Sequence, residues 1–157
     1  MKKKLFITII MSLAVFFNCF TLSAGAINEE KIISTSIEYF DDGSYLVTTI
    51  TEETTNSRAN TKTGSKTTIY KNSDGNTSWT YSITGTFSYT GSSSTCTAVS
   101  DSYTISNDNW HMSSHSCSKS GNTAYGTVTM KYKVLGITTS TITRDLSLSC
   151  SATGTLS

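Results

Sequence analysis

Residues 78–90 read Ser78-Trp79-Thr80-Tyr81-Ser82-Ile83-Thr84-Gly85-Thr86-Phe87-Ser88-Tyr89-Thr90. Every large apolar or aromatic side chain falls on an odd number, and every even position carries a hydroxyl. Side chains of a strand alternate between two faces, so this period of two gives one aromatic face and one hydroxylic face. A helix of the same sequence would scatter the rings around its circumference. The segment therefore predicts an antiparallel strand with one buried and one wet side. Gly85 lies on the buried face, where it marks a bulge or the close crossing of a neighbour.

The same reading extends outward. Ile32–Phe40 and Tyr45–Ile50 flank Asp41-Asp42-Gly43-Ser44, and Thr67–Lys71 and the Trp79 strand flank Ser73-Asp74-Gly75-Asn76. Both spacers have the Asp/Gly chemistry of hairpin turns. Further strands are expected over Cys96–Ser106, Trp110–Ser118 and Ala124–Val134. A last strand, after Leu135-Gly136, holds Ile142, Leu146, Leu148 and Cys150 in phase. Short strands joined by turns predict an all-β, antiparallel β-sandwich of immunoglobulin-like size, with a partly closed barrel as the other arrangement. The sandwich is preferred because two sheets bury the aromatic faces and leave the Ser/Thr faces wet. Residues 27–51 are expected to form an N-terminal β-hairpin, 52–64 a polar linker, and 65–157 the sandwich domain.

Residues 1–26 are read as a cleaved signal peptide. Lys2, Lys3 and Lys4 precede an apolar run from Leu5 to Phe17, and Ala24-Gly25-Ala26 supplies the small-residue exit. The run is shorter than the ~20 apolar residues a spanning helix needs. Asn18 stands where a lipidated Cys19 would want a small residue before it. Removing the three lysines takes the net charge from +1 to −2, because no acidic residue leaves with them. That balance excludes an electrostatic footprint for nucleic acid or an anionic membrane. The expectation is a secreted, extracellular protein with no membrane attachment after cleavage. Ser and Thr make up about two-fifths of the chain after Ala26, and proline is absent.

No motif for catalysis, cofactor binding or metal binding stands out. His111, His115 and Cys117 share a parity, but on a regular strand the two histidines lie about 13 Å apart. They are read as strand side chains and not as ligands. Asp41-Asp42 and Asp74 lack the repeated oxygen spacing of a calcium loop. Serines abound without a Gly-x-Ser-x-Gly elbow, and the N-terminal carboxylates do not form a glycosidase pair. The chain is expected not to be an enzyme, to hold no cofactor, and to bind an extracellular or cell-envelope ligand. Two rival readings are a secreted hydrolase, which needs a pocket with a His–carboxylate contact, and a secreted inhibitor or toxin-like effector, which needs a long rigid loop.

After Ala26 three cysteines remain, Cys96, Cys117 and Cys150. In an oxidising compartment one pair could close and leave one thiol. Cys150 is in phase with Leu146 and Leu148, whereas Cys117 is out of phase with Trp110 and Met112. Phase thus favours a Cys96–Cys150 disulfide, although Val99, Tyr103 and Ile105 sit on the opposite parity to Cys96.

Thr63-x-Ser65-Lys66-Thr67, Tyr70, Asn72-Ser73-Asp74-Gly75, Trp79, Thr84-Gly85-Thr86-Phe87, Tyr89, Gly91-Ser92-Ser93, Thr95-Cys96 and Trp110 occur in that order. Ser118-Lys119-Ser120-Gly121, Leu135-Gly136-Ile137 and Leu148-Ser149-Cys150-Ser151 follow. In these stretches the chain resembles a family of small secreted Ser/Thr-rich β proteins from gut Clostridia and relatives, which carries no assigned activity. The resemblance implies export, a β fold, and cysteines matching Cys96 and Cys150; Cys117 departs from it.

Overall fold

The computed structural model describes residues 29–54 and 60–157. The proposed signal segment and cleavage site at Ala24 and Ala26 lie outside them. All regular structure among the described residues is strand. The strands are β1 (Glu29–Tyr39), β2 (Tyr45–Thr54), β3 (Thr61–Lys71), β4 (Thr77–Tyr89), β5 (Ser94–Ile105), β6 (Trp110–Ser120), β7 (Thr123–Val134) and β8 (Ile137–Ser149). Strands β1 to β5 form one sheet in chain order and β6 to β8 a second, and every neighbouring pair is antiparallel. The fold is a two-sheet antiparallel meander.

The turns follow from the residues that punctuate the strands. Gly43 and Gly75 adopt φ of 81° and 84°, and in both hairpins the glycine amide returns to a carbonyl three residues back. That left-handed conformation is open to glycine at no steric cost. The β4 alternation holds throughout: Trp79, Tyr81, Ile83 and Phe87 are fully buried. On the other sheet Ala124, Val128, Met130, Leu146, Leu148 and Cys150 face them, and Leu156 of the C-terminal tail closes the core. Gly85 takes the second expected role, the close crossing, while the nearby bulge is at Thr97 on β5. A Cβ there would meet the Phe87 ring at 2.7 Å and Ala124 at 3.1 Å, and the β4–β5 register shifts one pair further on.

Strands β2 and β3 extend into the segment expected to be a linker. Thr51 pairs with Ser65 and Glu52 with Gly64, so β2 and β3 run on through both ends of the 52–64 segment. Lys62 and Glu52 bridge across that ladder at 2.8 Å. The hairpin of residues 27–51 and the main domain thus share one sheet. The segment looked like a linker because the β3 outer face is all hydroxyls there and its inner face carries Gly64, against which Leu156 packs.

The predicted disulfide is also absent: Cys96, Cys117 and Cys150 are free thiols. Cys96 and Cys150 are both buried and flank the β6–β7 turn, their amides donating to the Gly121 and Asn122 carbonyls respectively. Parity misled at Cys96 and Cys117 because of bulges. Thr97 is an extra residue between the Phe87–Cys96 and Thr86–Ala98 pairs, so Cys96 and Val99 share the inner face. Ser113 is an extra residue between Met112–Met130 and Ser114–Thr129, which turns His115 and Cys117 inward and leaves His111 on the outer face.

Candidate functional site

Three places bring polar chemistry together. The first is a cleft of about 270 Å³ at the end of the sandwich formed by the β1–β2, β3–β4 and β5–β6 connections. Its floor is an aromatic cluster. Tyr70 stacks on Trp79 with centroids 5.5 Å apart, and Trp110 meets Tyr70 edge-on at 5.1 Å and Tyr132 at 5.3 Å. The rim is polar, from Asp42, Asn72, Ser73 and Asn107.

The rim is fixed by its own turns. Tyr70 donates to Ser44 Oγ at 2.9 Å, and Ser44 donates onward to Asp42 Oδ1 at 2.5 Å. The Ser44 hydroxyl and amide hold the Asp42 carboxyl below its ordinary value, so it is ionised at neutral pH. Asn72 and Asn107 spend their side-chain carbonyls on the amides of Asn76 and Asn109. That leaves both NH2 groups for another acceptor, since an amide has two donors on nitrogen. The cleft thus offers a carboxylate acceptor and amide donors above ring edges, which is how small polar sites combine apolar walls with a few oriented polar groups.

The second place is the seam between β5 and β6, where Asp101 is the hub. His115 Nδ1 lies 2.8 Å from Asp101 Oδ2, and the Tyr81 hydroxyl 3.1 Å from the same oxygen. Cys117 lies on the same inner face of β6 as His115, near enough for the Asp101 charge to act on its thiol. Burial works against the Asp101 charge, but hydrogen bonds from His115 and Tyr81 outweigh it and hold its pKa below the ordinary value. Burial and the Asp101 charge push the Cys117 thiol up. Burial, then Asp101, raises Tyr81 as well.

This arrangement supplies the His–carboxylate contact of the hydrolase reading, but outside the cleft and wired in the wrong order. A nucleophile is activated by a base that a third group orients. Here the carboxylate stands between thiol and imidazole and keeps the thiol protonated. His111 lies on one face and His115 and Cys117 on the other, and among the described residues no three His, Cys, Asp or Glu side chains are placed so that they could hold one metal ion. Asp101 shares the parity of Val99, Tyr103 and Ile105 without a break, but its partners were hidden, because the Ser113 bulge reverses the phase of His115 and Cys117.

The third place is the outer face of the five-stranded sheet. One cross-strand row runs Thr35, Thr49, Thr67, Ser82, Ser102, and the next runs Ile32, Thr51, Ser65, Thr84, Ser100. Thr67 and Ser82, and Ser65 and Thr84, hydrogen-bond each other at 2.8 Å. These hydroxyls satisfy one another, as expected of a solvated β face.

No family model, curated protein or solved structure matches this chain.

Proposed function

We propose that the chain is exported, cleaved after Ala26, and acts outside the cell as a non-catalytic binding module whose ligand is a neutral polyhydroxylated molecule, a carbohydrate, seated in the cleft above Trp110 and Tyr132. The observation that carries this reading is the pairing of a carboxylate with two free amide NH2 groups over aromatic edges. Sugar hydroxyls both donate and accept, and sugar C–H faces pack on rings, so they use both halves of such a site. A non-catalytic role is supported by the seam, where Asp101 holds the Cys117 thiol in its unreactive form. A binding role needs rigid walls, and five rings packed on one another supply them.

The test is calorimetric titration with a panel of neutral mono- and oligosaccharides. Binding to the wild type that falls at least tenfold in Asn72→Ala and Asn107→Ala, with unfolding curves unchanged, is the expected result. Equal affinity in both variants would remove the cleft from the account.

A further inference from the structure

We propose that two copies of the protein associate through β1, antiparallel about a two-fold axis at Thr35, which joins their five-stranded sheets into one of ten strands. Strand β1 is the free edge of its sheet, and every residue from Glu30 to Tyr39 is exposed. An edge of this length presents a row of unpaired backbone donors and acceptors, a template for another strand. Its side chains are not those of a solvated edge: Ile32 is 66% exposed, Ile37 46% and Tyr39 70%.

The side-chain order is self-complementary in one register. The β1–β2 ladder places Glu30, Ile32, Thr35, Ile37 and Tyr39 on the outer face, and Lys31, Ser34, Ser36 and Glu38 on the inner face. Ile33 is the extra residue of a bulge between Ile32 and Ser34. Set Thr35 opposite Thr35 of the second copy, and Ser34 meets Ser36. Beyond the bulge, taken up as it is against β2, Ile37 meets Ile32, Glu38 meets Lys31, and Tyr39 meets Glu30. Each opposed pair lies on the same face, as antiparallel strands require.

Two apolar pairs and two Lys–Glu pairs form at once, because a two-fold contact uses each pairing twice. A slip of one residue opposes inner to outer side chains, and a slip of two leaves Lys31 and Glu38 without each other. Inward charges and bulges ordinarily protect an edge from pairing. Here both devices fit their own copies. Lys31 has no ion-pair partner among the described residues, and Glu38 uses only Oε1, to Arg144 at 3.2 Å. Its other oxygen is open to the second Lys31. Antiparallel pairing also points the two cleft-bearing ends in opposite directions. The dimer itself does not depend on what the cleft binds.

The test is sedimentation equilibrium of the purified protein, up to about 100 µM, the range in which micromolar association shows. The wild type is expected to approach twice the chain mass. Lys31→Glu opposes two carboxylates at each end while leaving the Glu38–Arg144 contact in place, and is expected to be monomeric. The exchange Lys31→Glu/Glu38→Lys restores opposite charges and is expected to restore the dimer. Should that double variant melt early, Thr35→Cys provides the second measurement: it is expected to cross-link copies under mild oxidation, whereas Ser36→Cys does not. A wild type that stays monomeric, a dimer indifferent to Lys31→Glu, or equal cross-linking at positions 35 and 36 would overturn the proposal.

Discussion

Gly126 on β7 faces Ile83 on β4 so closely that a Cβ on the glycine would lie 2.2 Å from Ile83 Cγ2. The Tyr81 hydroxyl would be 2.6 Å from the same Cβ. The two sheets meet at this point, and the missing side chain is what lets them. Gly126→Ala must part the sheets or drive Tyr81 off Asp101, an overpacking cost of about 1–3 kcal/mol. Urea unfolding of Gly126→Ala beside Thr127→Ala, on the outer side of the same strand, is expected to show the larger loss in the first, because the second gives up only the hydrogen bond from Thr127 to Asp145.

Trp79 ties the core to the cleft floor, fully buried and stacked on Tyr70. Trp79→Ala is expected to cost about 3–5 kcal/mol. Thr84→Val, on the outer face, removes one hydroxyl pair with Ser65 and is expected to cost about 1 kcal/mol or less. Similar denaturation midpoints for the two would contradict the facial assignment.

That assignment was legible from the sequence because β4 alternates without interruption from Trp79 to Phe87. Legibility stopped at the bulges. One extra residue reverses every side chain beyond it, so Thr97 and Ser113 inverted the apparent phases of Cys96 and Cys117, and Ser113 concealed that His115 and Cys117 turn inward toward Asp101. The sequence also missed the cleft, because its rim comes from three connections distant in the chain and its floor from rings that read simply as core. The strand character of β3 in the segment expected to be a linker was hidden because its outer face is threonine and serine and its inner face begins with Lys62 and Gly64.

Asp101 makes stability depend on pH with a definite sign. Its folded pKa lies below the ordinary 3.8, so it contributes stability above that value, lost as pH falls through the folded value. Asp42 acts in the same direction. Urea melts from pH 7 to 2.5 are expected to show a steeper acid loss in the wild type than in Asp101→Asn. The same substitution removes the charge that raises the Cys117 thiol. Alkylation of Cys117 by iodoacetamide at pH 7.5 is expected to be slow in the wild type and faster in Asp101→Asn.

Leu135 sits at the β7–β8 hairpin tip, 98% exposed and with φ of 49°. Beside Gly136 at 81°, it forms a two-residue turn with both φ positive, a shape suited to Asn-Gly. A leucine there is strained and buries nothing. Leu135→Asn is expected to stabilise the fold by about 0.5–1 kcal/mol, on the scale of other relieved backbone conflicts. A lower thermal midpoint would show that Leu135 makes a contact the isolated chain does not reveal.

The binding account is tested most directly by where a sugar acts on the molecule. Amide and ring resonances can be followed by NMR while a carbohydrate selected by calorimetry is added. The account expects shifts gathered at Asp42, Asn72, Asn107, Trp110 and Tyr132, with the outer-face residues Thr67, Ser82 and Ser102 unmoved. Shifts centred on that hydroxyl face, with Trp110 and Tyr132 silent, would contradict it.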